Sequence, residues 1–266
     1  MKKLTIAVFV AGAIVAPRAQ TATETLVVTP TNTRGWSTAD TRPGGAVAFV
    51  LDATAPGGTG ALQLTTNNTN AAKAQYLHLA STLLADVTDL SYWTKQNSVA
   101  VSISAPSYQL VVRLCGLPID PNDPIGFTTF VFEPYQSGLA VTTVTPEVWQ
   151  SWDVDAGQMW SSKPVTCGSE SVSAGAGGAP FYTLADLQTR FPNAVATGFG
   201  VNIGSYNPSY DVQSDLVRFN ETIYDFEVYS TPTGPDDCKK GGWSTFNPLT
   251  GPYKNQGQCV SAFVPQ

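Results

Sequence analysis

The sequence predicts an all-β protein: a two-sheet jelly-roll sandwich with one short capping helix and a small disulfide-closed C-terminal tail. Two observations lead there. About a dozen short segments alternate apolar and polar residues with a period of two, the pattern of half-buried strands, and stretches rich in Gly, Pro and Asn separate them. Only one segment carries a helical period with start and stop signals, so the strand–helix–strand alternation of an α/β fold is absent.

The chain opens on a short basic stretch, Met1-Lys2-Lys3, followed by the uncharged apolar run Leu4–Ala16. Such a run is shorter than the roughly 20 residues that span a bilayer and has the length of a signal-peptide core. Residues 1–22 are therefore expected to be a signal peptide, cut between Ala19 and Ala22. Residues 23–231 should form the sandwich and residues 232–266 the tail. The expected location is outside the cell, with no membrane insertion after cleavage.

Charge agrees with that. The chain has 20 acidic and 14 basic residues, and losing Lys2, Lys3 and Arg18 leaves 11 bases and a net charge of −9. Nucleic acids and anionic membranes call for basic patches, so neither is an expected partner. Four cysteines in an exported chain imply two disulfides, for which three pairings exist. Joining Cys238 to Cys259 within the tail and Cys115 to Cys167 within the sandwich is the economical one.

In chain order, Leu26–Thr29, Val47–Leu51, the segment around Leu62 and Leu64, and Tyr76–Leu79 read as strands. Leu83–Trp93 reads as a helical turn running into a strand. Val99–Ser104 and Tyr108–Leu114 read as a hairpin turned at Ser-Ala-Pro-Ser. The centre, Phe127–Trp160, holds three strand-like segments. Phe130 and Phe132 alternate with Thr129, Val131 and Glu133; Leu139, Val141 and Thr143 alternate with their neighbours; Trp152 and Val154 share one face, with Trp149 and Asp153 on the other. Cys167–Pro180 is small-residue sequence without a period and reads as an excursion from the rim. The helix is Thr183–Phe191: Thr183 can cap it, Leu184, Leu187 and Phe191 line one face, and Pro192 forbids continuation. Gly198–Gly204 and Tyr224–Tyr229 close the domain. Gly200 and Asn202 share a strand face, and a glycine there marks close approach by a ligand or another backbone.

The tail pattern Cys238-Lys239-x-Gly241-Gly242-Trp243-x-x-Phe246, then Lys254-Asn255-Gln256-Gly257-x-Cys259-Val260-Ser261, resembles a small motif appended to many secreted bacterial proteins. Upstream, the order FVFEPY, VWQSWD, TLADLQTRFPNA, GFGVNIGS and YDFE is similar to a family of uncharacterised secreted jelly-roll proteins. Their shape is similar to concanavalin-like lectins and carbohydrate-binding modules, and this covers residues 25–230. The resemblance implies a glycan or cell-surface polysaccharide as partner. It also implies a structural calcium ion at the rim, with Asp52 and Asp215 as the pair that would hold it; the plain alternative is that each aspartate caps a turn.

No catalytic residue is expected. A glycosidase needs two facing carboxylates. Asp153 with Asp155 gives the spacing of a strand-borne pair without its glutamates, and Asp225 with Glu227 reads equally as a solvated face. His78 is the chain's one histidine and shares a face with Tyr76, which suits a packed side chain. Sugar binding requires only aromatic platforms and a few polar side chains. Trp149, Trp160, Tyr206 and Tyr210 are the candidate platforms, with Asn202 and Arg113 as polar partners; otherwise these tryptophans simply pack the core and rim. The expected function is non-catalytic carbohydrate binding. The alternatives are a structural or adhesive surface protein, and a jelly-roll glycoside hydrolase or polysaccharide lyase.

Overall fold

A computed structural model describes residues 22–99, 101–117, 126–229, 232, 234–246 and 253–263. The expected signal segment through residue 21 lies outside them. In chain order the strands are β1 (Glu24–Val28), β2 (Trp36–Ser37), β3 (Gly45–Leu51), β4 (Gly60–Thr66), β5 (Ala74–Leu83), β6 (Leu90–Ser98), β7 (Ser107–Arg113) and β8 (Phe127–Phe132). There follow β9 (Gln150–Asp153), β10 (Gln158–Ser161), β11 (Val165–Cys167), β12 (Glu170–Val172), β13 (Phe181–Thr183), β14 (Val195–Ile203), β15 (Asp211–Phe219) and β16 (Thr222–Phe226). The helices are α1 (Leu184–Arg190) and, in the tail, α2 (Gln256–Ser261).

Two seven-stranded sheets pack face to face. In the first, β15 is the spine: β6 runs along one side of it, with β9 beyond. On its other side β15 pairs with β4 through Asp211–Ser214 and with β16 through Val217–Phe219. The handover falls at Asp215 and Leu216, where the register shifts and Leu216 adopts φ 46°. Bulges of this kind bend a strand and re-aim its side chains. The second sheet runs β13-β10-β8-β7-β14-β5-β2. A small hairpin, β11–β12, lies beside it.

The alternation read in the sequence is the alternation of core and outer face. Tyr108, Leu110 and Val112 of β7, Phe130 and Phe132 of β8, and Phe199 and Val201 of β14 are buried between the sheets. Trp36 joins the two layers. Its indole stacks on Tyr76 at 5.3 Å and meets Phe199 edge-on at 5.5 Å, and it meets Tyr224 and Phe226 of the opposite sheet at 5.3 and 5.1 Å. His78 lies in the same cluster, 5.2 Å from Phe199, with Nε2 2.9 Å from the Arg34 carbonyl.

α1 matches its signals. Thr183 Oγ1 accepts from the Asp186 N–H at 3.1 Å, and Leu184 and Leu187 are buried. Asp186 pairs with Arg190 one turn on, at 3.2 Å. Gln188 donates to the carbonyls of Leu84 and Val87, docking the helix over the turn between β5 and β6. That covers one end of the sandwich, as so short a helix requires.

Several expected elements are different. The described residues of the expected strand Val99–Ser104 form no strand: β6 ends at Ser98, Val101 and Ile103 are about half exposed, and β7 pairs with β8 and β14. The Gln96 side chain holds this segment as a loop by donating to the carbonyls of Ser102 and Ser104. Leu139–Val144 is no strand either, although Val144 is buried and Leu139 packs on the core. In both, alternation reflects which side chains find the core, with no neighbouring strand to supply a ladder. Cys167–Pro180 contains β12 and a bridge from Ala174 to Ser161, so much of it is ordered against the sheet.

Both disulfides join the expected cysteines. Cys115–Cys167 has a Cα separation of 5.2 Å, and Cys238–Cys259, closing the tail, 5.6 Å. No helix among the described residues is long and apolar enough to cross a membrane.

Candidate ligand-binding face

The outer face of the second sheet brings aromatic and amide side chains into line. Strand registers place Phe181, Trp160, Val131, Gln109, Gly200 and Leu77 side by side across β13, β10, β8, β7, β14 and β5. At about 4.8 Å per strand the row is roughly 24 Å long. Trp160 and Phe181 are directly opposed across β10 and β13.

Trp160 is fixed rather than free to turn. Its Nε1–H donates to Glu133 Oε2 at 2.7 Å, and the Gln136 amide donates to the same oxygen. Gln136 also donates to the Gly177 carbonyl at 3.1 Å, tying the Gly175–Gly178 segment to this corner. A Cβ on Gly175 would lie 2.6 Å from Trp160 Cβ, so the segment rests against the base of the indole. Burial pushes the Glu133 carboxyl above its usual value, and the bonds from Trp160 and Gln136 pull it part of the way back.

Gln109 sits at the middle of the row. It is 9% exposed, and its side-chain amide has no hydrogen-bond partner among the described residues. Neither amide atom is sealed from solvent, so its donor and its acceptor are open to water or to a ligand on this face. Its neighbour Gly200 has a structural reason: a Cβ there would lie 2.2 Å from the Tyr76 carbonyl oxygen. Of the two causes foreseen for that glycine, close approach of another backbone is the one observed.

The sequence-derived residues fall in several places. Trp160, Asn202 and Arg113 all point outward from the second sheet, on different rows. Asn202 is 3% exposed and donates to Gln75 Oε1 at 3.0 Å. Arg113 ends β7 opposite Phe127, at the far end of the face from Glu133. Tyr206 stands on the loop after β14, 80% exposed, while Tyr210 is buried in the core with a partnerless hydroxyl. Trp149 belongs to the other sheet: it precedes β9 and lies 5.5 Å from Lys95 Nζ. Trp149 and Trp160 thus occupy opposite faces of the sandwich and cannot form one platform. Gln109, Phe181 and Glu133 were missed as site residues. Phe181 lies in the two-residue gap between the rim excursion and the helix, and β10, four residues long, gave no period by which to orient Trp160's neighbours.

Asp52 and Asp215 do not fit a shared calcium ion. Asp52 pairs with Lys95 and accepts from Thr54. Burial pushes its carboxyl up, but those partners prevail and hold it below its usual value. Asp215 is fully buried, with Oδ1 taken by the Phe226 N–H at 3.0 Å and Oδ2 by the Gly57 N–H at 3.1 Å. Among the described residues no three His, Cys, Asp or Glu are grouped to hold a metal. Asp153 and Asp155 both line a depression on the first sheet, where Asp153 accepts from the Ala156 N–H and Asp155 from the Leu90 N–H.

No protein-family model matches this chain, and no curated protein matches it. Among solved structures it is similar to a family 11 carbohydrate-binding module from Clostridium thermocellum in complex with a β-1,3-1,4-mixed-linked tetrasaccharide. Identity is 10% and the TM-score 0.38, over 73% of this chain and 91% of that one. It is also similar to the family 11 module of the cellulosomal cellulase Lic26A-Cel5E of Clostridium thermocellum, at 9% identity and TM-score 0.38, over 70% and 86%. A likeness at this level bears on neither the site nor the ligand.

Proposed function

We propose that this chain is an exported, non-catalytic glycan-binding protein whose site is the outer face of the second sheet. The observation that carries the reading is the corner at Trp160: an oriented indole beside Phe181, in line with the partnerless Gln109 amide. A flat ring gains apolar contact with the C–H face of a sugar, and an amide can exchange hydrogen bonds with its hydroxyls. A row of about 24 Å accommodates several sugar units rather than one. The strands of this sheet carry no Asp or Glu and Glu133 follows β8 alone, so this face has no carboxylate pair, which supports binding without hydrolysis here. Two disulfides support folding in an oxidising compartment.

The test is retention on a broad panel of soluble and insoluble polysaccharides, with reducing-sugar release measured in parallel. Binding without release is expected, and Trp160→Ala should weaken it by about 10- to 100-fold while the melting temperature holds. Release of sugar would overturn the non-catalytic half. No retention on any polymer would transfer the assignment to a structural surface protein.

A further inference from the structure

Glu133 is not needed to build the sheet. It follows the last residue of β8, and its partners are the Trp160 indole and the Gln136 amide, both neutral. Both donate to Oε2; Oε1 has no partner among the described residues. Among the described residues no basic side chain pairs with this carboxylate. The cations of the face, Arg113 and Lys163, lie at its opposite end around Phe127, where Lys163 Nζ is 4.9 Å from the ring. The charge at the Trp160 corner is therefore a single uncompensated anion, anchored to the aromatic ring on which a sugar would rest.

We propose that Glu133 is a specificity-determining residue: beyond orienting Trp160, its carboxylate restricts the face to uncharged glycans and excludes carboxylated ones. This rests on the glycan-binding reading above. A sugar stacked on Trp160 lies within several ångströms of the carboxylate, where like charges repel strongly in a half-buried setting. A hydroxymethyl group at that point can donate to Oε1, whereas a carboxylate in the same place is repelled and has no proton to give. Discrimination thus comes from a repulsive element built into an otherwise permissive aromatic site.

Each neutral polysaccharide retained by the wild type (from cellulose, mannan, galactan and mixed-linkage glucan) is compared with its derivative oxidised to the carboxylate at C6, by affinity electrophoresis. The wild type should prefer the neutral polymer by about tenfold or more, and lowering the salt from 150 to 10 mM should widen the gap. Glu133→Gln keeps an acceptor for the Trp160 N–H and should narrow the preference to within about twofold, chiefly by improving binding of the oxidised polymer. Asp153→Asn removes the same charge from the opposite sheet and should leave the preference intact, separating a local effect from the protein's net charge. An unchanged preference in Glu133→Gln, or a wild-type preference insensitive to salt, overturns the inference and leaves glycan binding standing. Failure of the wild type to bind any neutral polymer overturns both.

Discussion

On the outer face of the first sheet, ions and their partners stand beside Trp93 and Trp149. Asp52 pairs with Lys95, Asp89 with Arg218 at 3.1 Å, and Asp211 accepts from Gln63 and Asn97 at 2.8 and 3.0 Å. A depression of about 330 Å³ there is rimmed by Asp89, Asp153, Asp155 and Arg218. On the outer face of the second sheet the corresponding positions hold Phe181, Trp160, Val131, Gln109 and Leu77, with one carboxylate. Both sheets bury the same kind of side chain inward, so the common core cannot explain the difference. A charged pair satisfies itself and is well solvated. An aromatic corner in line with an amide that has no protein partner is left with contacts to make.

The comparison breaks most completely at the residue the faces share from within. Trp36→Ala should empty the junction between the sheets, at a cost of about 3–5 kcal/mol, and lower the melting temperature by about 10 °C. If the melting temperature fell by only a degree or two, the rings of Tyr76, Phe199, Tyr224 and Phe226 would have to close the space without it.

A pair of tryptophan variants sharpens the contrast between the faces. Trp160→Ala should weaken glycan retention by about 10- to 100-fold, the equivalent of burying one aromatic side chain, and change stability little. Trp149→Ala, on the opposite sheet, should leave retention as it was. Equal losses from both would mean that the ligand uses both faces.

A third experiment reads the first sheet by its acids. Asp215, Asp225 and Glu227 close around the Gly57–Thr59 turn: Glu227 Oε1 accepts from the Thr59 N–H at 2.8 Å, while Asp225 Oδ1 is buried without a partner. Burial first, and then the Glu227 charge, push the Asp225 carboxyl up to about 6 from 3.8. Because its folded value is raised, the folded state binds the proton more tightly than the unfolded chain. Its contribution is complete below 3.8 and is lost as pH rises through about 6. Burial raises Asp215 and Glu227 as well, so all three act in the same direction. Asp225→Asn should raise the melting temperature at pH 7.5 by about 2–4 °C and flatten the gain the wild type shows between pH 7.5 and pH 4.5. A wild type that loses stability on acidification in this window would contradict the arrangement.

The smallest expected effect is that of a chelator. With Asp52 taken by Lys95 and both Asp215 oxygens taken by backbone N–H groups, EDTA should shift the melting temperature by less than about 1 °C. A drop of several degrees would show that these carboxylates serve a cation.

Much of this molecule is legible in its sequence, for physical reasons that can be named. Period-two alternation is a local consequence of the pleat, so Tyr108–Val112, Phe130–Phe132 and Phe199–Ile203 declare their inward residues without reference to any partner strand. Thr183, Leu184, Leu187 and Pro192 define α1 locally, and the chain separations of the cysteines favour the pairing that forms. What the pleat does not encode is which strand lies alongside. Val99–Ile103 and Leu139–Val144 alternate as well as true strands do, and only the absence of a neighbour leaves them as loops. The same ignorance of neighbours hid the site. Trp149 and Trp160 are eleven positions apart and look equivalent in sequence, but β9 joins β6 in one sheet and β10 joins β8 in the other, so they face opposite ways. Phe181, Trp160 and Gln109 come from three separate stretches, and register alone sets them in a row. Local pattern decides which side chains turn inward; long-range pairing decides which outward ones meet.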